Sequence, residues 1–229
     1  MMDYTYLADK LFPHITETPE QVEARYPKRE LPEGAKVTRM GPSPTGFMHL
    51  GNLYGALVDE RLAHQSGGVF YLRIEDTDRK REVEGGVQTI IDAFSAFGLP
   101  FDEGATLDGE IGNYGPYRQS QRAEIYQTFV KWLMKQGMAY PCFCTEEELS
   151  KAHAEQEANK ENFGYYGKYA VWRDRTLEEI EAQLEKGMPY VVRFRSQGSI
   201  ENKIKHEDLV KGKMEVTEND QDIVILKSD

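Results

Sequence analysis

The stretch Lys36-Val-Thr-Arg-Met-Gly-Pro-Ser-Pro-Thr-Gly-Phe-Met-His-Leu-Gly-Asn52 predicts a strand, a tight turn and the start of a helix. Its first part is β-branched and apolar, and Pro42 and Pro44 then remove backbone donors, so the strand must end there. Gly46 supplies a turn residue that tolerates positive φ. The helix follows from apolar residues at three- and four-residue spacing, namely Leu50, Leu53, Leu57, Leu62 and Ala63.

The first turn of that helix holds His49, Gly51 and Asn52. Unpaired amides and the positive end of the helix dipole gather at a helix start, and both suit an anionic phosphate chain. Because Gly51 lacks a β-carbon, a flat ring such as adenine has room to approach the backbone. Turns of this kind also occur without any ligand, and a lone histidine there is often a surface residue, so this stretch alone leaves both interpretations open.

A second stretch, Gly67-Gly-Val-Phe-Tyr-Leu-Arg-Ile-Glu-Asp-Thr-Asp78, reads as a buried strand that ends in acidic residues. Carboxylates at the carboxyl end of a parallel strand lie at the sheet edge where α/β folds bind ligands. We therefore expect Glu75 to face a ligand. For Asp76 and Asp78, a role as charges at a helix start is an equally good interpretation.

Two motifs, Arg39-x-Gly-Pro-Ser-Pro-Thr-Gly-x-x-His-Leu-Gly51 and Arg73-Ile-Glu-Asp-Thr-Asp78, resemble the N-terminal half of the glutamyl-tRNA synthetases, which are class I aminoacyl-tRNA synthetases. His49-Leu-Gly-Asn52 is similar to the His-Ile-Gly-His element of that class, with Asn52 in place of the second histidine. The resemblance runs from about Val37 to the last residue. It implies an α/β fold with an incomplete Rossmann-type parallel sheet and an inserted α/β domain that binds the tRNA acceptor stem.

The resemblance also implies a reaction, the ATP-dependent ligation of L-glutamate to tRNA(Glu) through a glutamyl-adenylate, with Mg²⁺ accompanying ATP. In it, a guanidinium binds a glutamate carboxylate, an acid receives the glutamate ammonium, and an imidazole donates to phosphate oxygens. Gly41 stands where the family usually has Ala, and a structural ion pair with Glu75 is the alternative role for Arg39. The implied glutamate site is Arg39, Gly41, Ser43 and Glu75, and the implied catalytic and ATP site is His49, Gly51 and Asn52.

Cys142 and Cys144 are the only cysteines and lie too close together for an easy mutual disulfide. Some relatives hold zinc with such a pair and further ligands roughly 20 residues later, including a third cysteine. This chain has Tyr165-Tyr-Gly-Lys-Tyr169 there, so we do not expect zinc. The remaining histidines show no metal spacing and are expected at the surface; they are His14, His64, His153 and His206.

We expect residues 1–35, a polar segment, to form an extension packed loosely on the next domain. After it, the resemblance implies the first half of the catalytic domain over 36–117, the acceptor-stem insertion over 118–221, and a strand returning to the catalytic domain over 222–229. Within them we expect a loop over 101–117 and a helix capped by Thr145 and Glu148. No counterpart of the family's lysine-rich loop or anticodon-binding domain follows, so we expect an N-terminal portion that is inactive alone.

The chain has 229 residues and a formal net charge of −11, yet residues 118–213 hold 16 basic against 15 acidic residues. Phosphate contacts are therefore easiest to build there. No apolar run approaches the roughly 20 residues that span a bilayer, so we expect a cytoplasmic protein without membrane contact. Two alternatives remain: a glutamyl-queuosine tRNA(Asp) synthetase, which also carries a Cys-x-Cys pair, and a non-catalytic tRNA- or nucleotide-binding module. The motifs Asp76-Thr-Asp78 and 114–120 favour the translation enzyme over the first.

Overall fold

The computed structural model describes residues 2–227 and divides the chain into two compact units. We call residues 20–125 the sheet unit, and residues 1–19 with 126–229 the split unit. In chain order, the helices are α1 (Tyr4–Leu11), α2 (Pro19–Ala24), α3 (Leu50–Gln65), α4 (Gly86–Ala96), α5 (Ala123–Lys135), α6 (Glu146–Asn159) and α7 (Leu177–Glu185). The strands are β1 (Val37–Met40), β2 (Val69–Leu72), β3 (Glu103–Ala105), β4 (Glu110–Ile111), β5 (Ala139–Cys142), β6 (Val191–Phe194), β7 (Lys203–Asp208), β8 (Gly212–Thr217) and β9 (Val224–Leu226).

The sheet unit is built on one sheet in the order β1-β2-β3-β4, of which the first three strands are parallel. Met40 lies opposite Leu72, so β1 and β2 end at the same edge. The predicted order of strand, helix, strand, helix before residue 100 is confirmed. The expected loop over 101–117 is wrong in part, because it contains β3 and β4. β3 is only three residues long and includes Gly104, where a Cβ would lie 2.5 Å from the Leu72 carbonyl oxygen.

Helix α3 packs on the sheet with small residues rather than with the predicted leucine stripe. Ala56 and Ala63 are fully buried beside Leu53, which brings the helix backbone close to the strands. Three of the predicted apolar residues instead point outward; they are Leu50, Leu57 and Leu62. The core of the unit is completed by β2 and α4 with Phe70, Leu72, Ile74, Ile90 and Phe94.

The split unit contains a sheet in the order β5-β6-β9 and a separate hairpin, β7–β8. The predicted cap of α6 is confirmed, since the Glu148 N–H donates to Thr145 Oγ1 at 3.2 Å and the Thr145 N–H donates to Glu148 Oε2 at 2.8 Å. The hairpin does not follow from the sequence pattern. It is exposed along most of its length, with Leu209 and Val210 at its tip.

The first residues of the chain form part of a core, which corrects the expectation of a loosely packed extension. α1 and the turn after it bury a set of apolar side chains among residues of α5, β5 and β6; they are Leu7, Ala8, Leu11, Phe12 and Ile15. Lys131 fixes the end of this segment by donating to the carbonyls of Phe12 at 2.9 Å and Ile15 at 2.7 Å. The four-residue spacing of Leu7, Leu11 and Ile15 is the sequence signal for this helix.

β9 pairs antiparallel with β6, with Val192 opposite Leu226. The expected return of 222–229 to the parallel sheet therefore differs from the pairing seen up to Lys227; Ser228 and Asp229 lie outside the described residues. The chain enters β9 from Asp222, whose fully buried carboxylate is bonded within the split unit and holds the strand there. The segment boundaries themselves stay predictions. No helix within residues 2–227 has the length and apolar character needed to cross a bilayer.

Candidate functional site

The carboxyl ends of β1 and β2 are joined by backbone hydrogen bonds that set the geometry of the site. The Arg73 N–H donates to the Met40 carbonyl at 3.0 Å, and the Glu75 N–H donates to the Pro42 carbonyl at 2.9 Å. The segment after β2 is thus held against the turn after β1. This places Glu75 beside the turn that carries the predicted glutamate-site residues.

Glu75 is bonded to two arginines through one oxygen. Arg39 Nη1 forms an ion pair with Glu75 Oε1, and Arg73 Nη2 reaches the same oxygen at 3.0 Å. The side chains of Arg39, Glu75 and Arg73 are 36%, 29% and 22% exposed, so the cluster is accessible from solvent. Two cations around one anion leave a net positive charge, which suits a carboxylate ligand. Sequence reasoning assigned no role to Arg73, which lies two residues before Glu75 in the same motif.

Gly41 lies directly beneath this cluster. A Cβ built on Gly41 would lie 2.7 Å from Glu75 Oε1 and 2.8 Å from Arg39 Nη1. The lack of a side chain at position 41 is therefore what allows Arg39 and Glu75 to meet in this arrangement.

Ser43 is exposed in the turn between two buried prolines. The turn is fixed from behind, because the Pro44 carbonyl accepts a hydrogen bond from the Val83 N–H at 2.9 Å. Among the described residues, no hydrogen bond joins the Ser43 hydroxyl to Arg39 or Glu75. Gly46 in this turn does not adopt positive φ.

His49, Gly51 and Asn52 form a second group, at the start of α3. His49 is the N-cap residue, and its N–H donates to Asn52 Oδ1 at 3.2 Å, so Asn52 caps the helix. The imidazole lies over Gly51, where a Cβ would be 3.1 Å from both Cε1 and Nδ1 of His49. Gly51 thus makes room for the imidazole itself. The exposed ring lies at the positive end of α3, where an imidazole N–H can donate to an anionic ligand.

The two other acids of the second motif bond to protein groups. Asp76 accepts hydrogen bonds from the N–H and hydroxyl of Ser120, at 2.8 and 2.7 Å, and so fixes the short 3-10 helix Gln119–Arg122. Asp78 pairs with Arg81. These contacts favour a structural role for both carboxylates.

Cys142 and Cys144 lie together in the split unit around the Tyr165 hydroxyl, at 3.4 and 3.5 Å from it. The hydrogen bond with Cys144 lowers the pKa of Cys142, helped by Tyr165 and Arg193, while the same partnership raises the pKa of Cys144. Among the described residues, no group of three or more His, Cys, Asp and Glu side chains is placed to hold a metal ion.

Comparison with known proteins places this geometry in a family. Residues 36–229 match the family described as class I tRNA synthetases (E and Q), catalytic domain. The glutamate–tRNA ligase of Acetivibrio thermocellus is 58% identical over 99% of this chain and 42% of the relative. That of Clostridium perfringens is 52% identical over 100% of the chain and 42% of the relative.

A crystal structure of a glutamate tRNA ligase from Elizabethkingia meningosepticum, in complex with its amino acid, superposes with a TM-score of 0.70 at 38% identity. It covers 86% of this chain and 39% of that chain. The chain thus spans about 42% of the length of the two curated relatives. It belongs to the class I tRNA synthetases of the glutamyl and glutaminyl type, and it carries their catalytic-domain signature in a Rossmann-like α/β fold.

Proposed function

We propose that this chain is the N-terminal catalytic portion of an enzyme that ligates L-glutamate to tRNA(Glu) at the expense of ATP. One observation carries the proposal: Arg39 and Glu75 bring opposite charges together at the carboxyl ends of adjacent parallel strands. An amino acid needs both charges, one for a carboxylate and one for its ammonium. The relatives named glutamate–tRNA ligase support glutamate as that amino acid, and they favour this enzyme over the glutamyl-queuosine alternative.

In the proposed reaction, the α-carboxylate of glutamate attacks the α-phosphorus of ATP, and pyrophosphate leaves with the bonding electrons. Arg39 binds a glutamate carboxylate, Glu75 receives the ammonium, and Ser43 adds a hydroxyl from the turn. No nucleophilic side chain is needed, because such chemistry asks the protein to align groups and to stabilise charge on phosphate oxygens.

The start of α3 is the proposed ATP site. The exposed imidazole of His49 donates to phosphate oxygens as charge develops, and the helix dipole acts in the same direction. Asn52 supports this geometry by capping the helix. Mg²⁺ is expected to arrive with ATP, held by the phosphates and water rather than by a dedicated protein cage.

Acyl transfer to the terminal adenosine of tRNA(Glu) completes the reaction. We assign contact with the acceptor stem to residues 118–221, where basic residues are not outnumbered by acidic ones between 118 and 213. Such a ligase acts where translation occurs, in the cytoplasm.

The test is an aminoacylation assay on the protein as it occurs in the cell, with tRNA(Glu) and tRNA(Asp) as competing acceptors. We expect L-glutamate to be attached to tRNA(Glu), with a large loss of rate in Arg39→Ala. Charging of tRNA(Asp) alone would support the queuosine-type enzyme. ATP and tRNA binding without any charging would support a non-catalytic module.

A further inference from the structure

We propose that Gly41 allows Arg39 and Glu75 to pair with each other where the amino acid binds, so that the residue at position 41 sets the affinity for that amino acid. This inference rests on the proposed function, since it takes L-glutamate as the ligand. Two interactions compete within the protein. Arg39 and Glu75 can each bind the substrate, or they can bind each other.

The space around position 41 decides whether Arg39 and Glu75 can pair. A Cβ there would lie 2.7 Å from Glu75 Oε1, 2.8 Å from Arg39 Nη1 and 3.1 Å from Glu75 Cδ. All three atoms belong to the ends of flexible side chains, so an added methyl group would displace the ion pair while leaving the backbone in place. Gly41 does not adopt positive φ, and alanine is therefore compatible with its backbone.

The exposure of the two side chains determines how strongly their pairing lowers the affinity for the amino acid. While the two side chains are paired, Arg39 Nη1 and Glu75 Oε1 are occupied by each other, so neither atom is open to the carboxylate or the ammonium of an amino acid. With side chains 36% and 29% exposed, their pairing shifts an equilibrium by about 1.4- to 5-fold. Binding of the amino acid is weakened by the same factor, because the pair must open first.

Arg73 makes the two partners of the ion pair different, because it also bonds to Glu75. Its Nη2 lies 3.0 Å from Glu75 Oε1, so the carboxylate has a second cationic partner besides Arg39. No hydrogen bond from the described residues reaches Glu75 Oε2, which remains available to an ammonium. Arg73 therefore acts as a positioning residue for the Glu75 carboxylate in the wild type.

The test compares Gly41→Ala with the wild type by calorimetric titration with L-glutamate. The matched control is Gly109→Ala, because a Cβ at Gly109 meets nothing within 4 Å and that residue lies in the turn between β3 and β4. We expect a Kd about 1.4- to fivefold lower in Gly41→Ala, and no change in Gly109→Ala. An unchanged or higher Kd in Gly41→Ala overturns the proposal, since the methyl group would then not relieve any competition.

A second measurement does not depend on binding. In ¹⁵N spectra, the guanidinium of a paired arginine rotates and exchanges slowly, so Arg39 should show protected signals in the wild type and in Gly109→Ala. These signals should be lost in Gly41→Ala, and the same spectra report whether each variant is folded. If the signals change as expected but no variant binds L-glutamate, the proposed function fails while the pairing stands. Identical spectra in all three proteins overturn the pairing.

Discussion

Two carboxylates in this chain are each held by arginine, and they differ in burial. Asp222 in the split unit is 0% exposed and accepts hydrogen bonds from Tyr140 at 2.5 Å, from the Ser196 N–H at 2.8 Å and from Arg173. The Glu75 side chain in the sheet unit is 29% exposed. Among the described residues, its carboxylate is bonded only by Arg39 and Arg73. The same chemistry gives a fixed structural centre in one place and an exchangeable partner in the other.

The difference follows from what each carboxylate can reach. Every lone pair of a buried carboxylate must be satisfied by the protein, because water is excluded and an unpaired charge is costly. The pKa of Tyr140 is raised by its burial and by its hydrogen bond to Asp222, so this donor keeps its proton. At the sheet edge, water or a ligand can replace either arginine of Glu75. Burial therefore separates structural from functional pairs here.

The largest loss of stability is expected for Asp222→Ala. It leaves Arg173 and Tyr140 without their acceptor and frees the start of β9, so we expect the free energy of unfolding to fall by about 3–5 kcal/mol. Urea denaturation measures this. Asp220→Ala, two residues earlier, is the control and should change little. A loss below about 1 kcal/mol would mean that the Asp222 network is no stronger than a surface pair.

Glu75→Gln should show the reverse balance between stability and function. Since the ion pairs of Glu75 are exposed, we expect unfolding to change by less than about 1 kcal/mol. Loss of the charged partner for the ammonium should lower kcat/KM for L-glutamate about 10- to 100-fold in an aminoacylation assay. Glu82→Gln, an exposed acid of the same unit, serves as control. A large loss of stability in Glu75→Gln with unchanged kcat/KM would make Glu75 a structural residue.

How far the sequence predicts these two centres also differs. The position of Glu75 follows from pattern, because an acid at the end of a parallel strand lies at the edge of the sheet where ligands bind, whereas the role of Arg39 follows from the resemblance to the glutamyl-tRNA synthetases. Asp222 gives no such signal. It lies between Gln221 and Ile223 in a segment that reads as the start of a strand, and its partners come from residues 26 to 82 positions away in sequence. Burial of a single acid depends on tertiary contacts, which a local sequence pattern does not show.

The same reasoning explains the missed elements. β3 has three residues and a central glycine, too few for a period-two pattern to show. The apolar spacing of α1 is present in the sequence, but the prolines after it suggested an irregular leader. Gly41 was identified as a site residue from its motif. Its use by the Arg39–Glu75 pair depends on distances that only the structure supplies.

His64 forms ion pairs that are intermediate between the buried cluster of Asp222 and the exposed surface pairs. It was expected at the surface, but its side chain is only 31% exposed and bridges Glu60 at 2.7 Å and Asp102 at 2.9 Å. The hydrogen bond with Asp102, followed by that with Glu60, raises the pKa of His64 above its usual 6.5. A raised pKa stabilises the fold fully below the unfolded pKa, and this contribution is lost as pH rises through the folded pKa.

We therefore expect the wild type to lose stability relative to His64→Gln when the pH is raised from about 5.5 to 8.5, by about 1 kcal/mol or less. Urea denaturation at both pH values gives the difference, and the Gln variant removes the titrating group while keeping a hydrogen-bonding side chain. A gap that widens with pH in favour of the wild type would reverse the sign and contradict the role of the two carboxylates.

The smallest effect is expected at the exposed end of the scale, in Lys151→Ala on α6. Lys151 pairs with Glu147 at 2.7 Å, but the two side chains are 73% and 77% exposed. Water solvates both charges with or without the contact, and ordering two long side chains costs entropy, so the midpoint of thermal unfolding should stay within measurement error. High salt should make no difference to this result. Because this pair has a distance like those of the functional and buried clusters, a measurable loss here would show that distance, rather than burial, decides what an ion pair does in this protein.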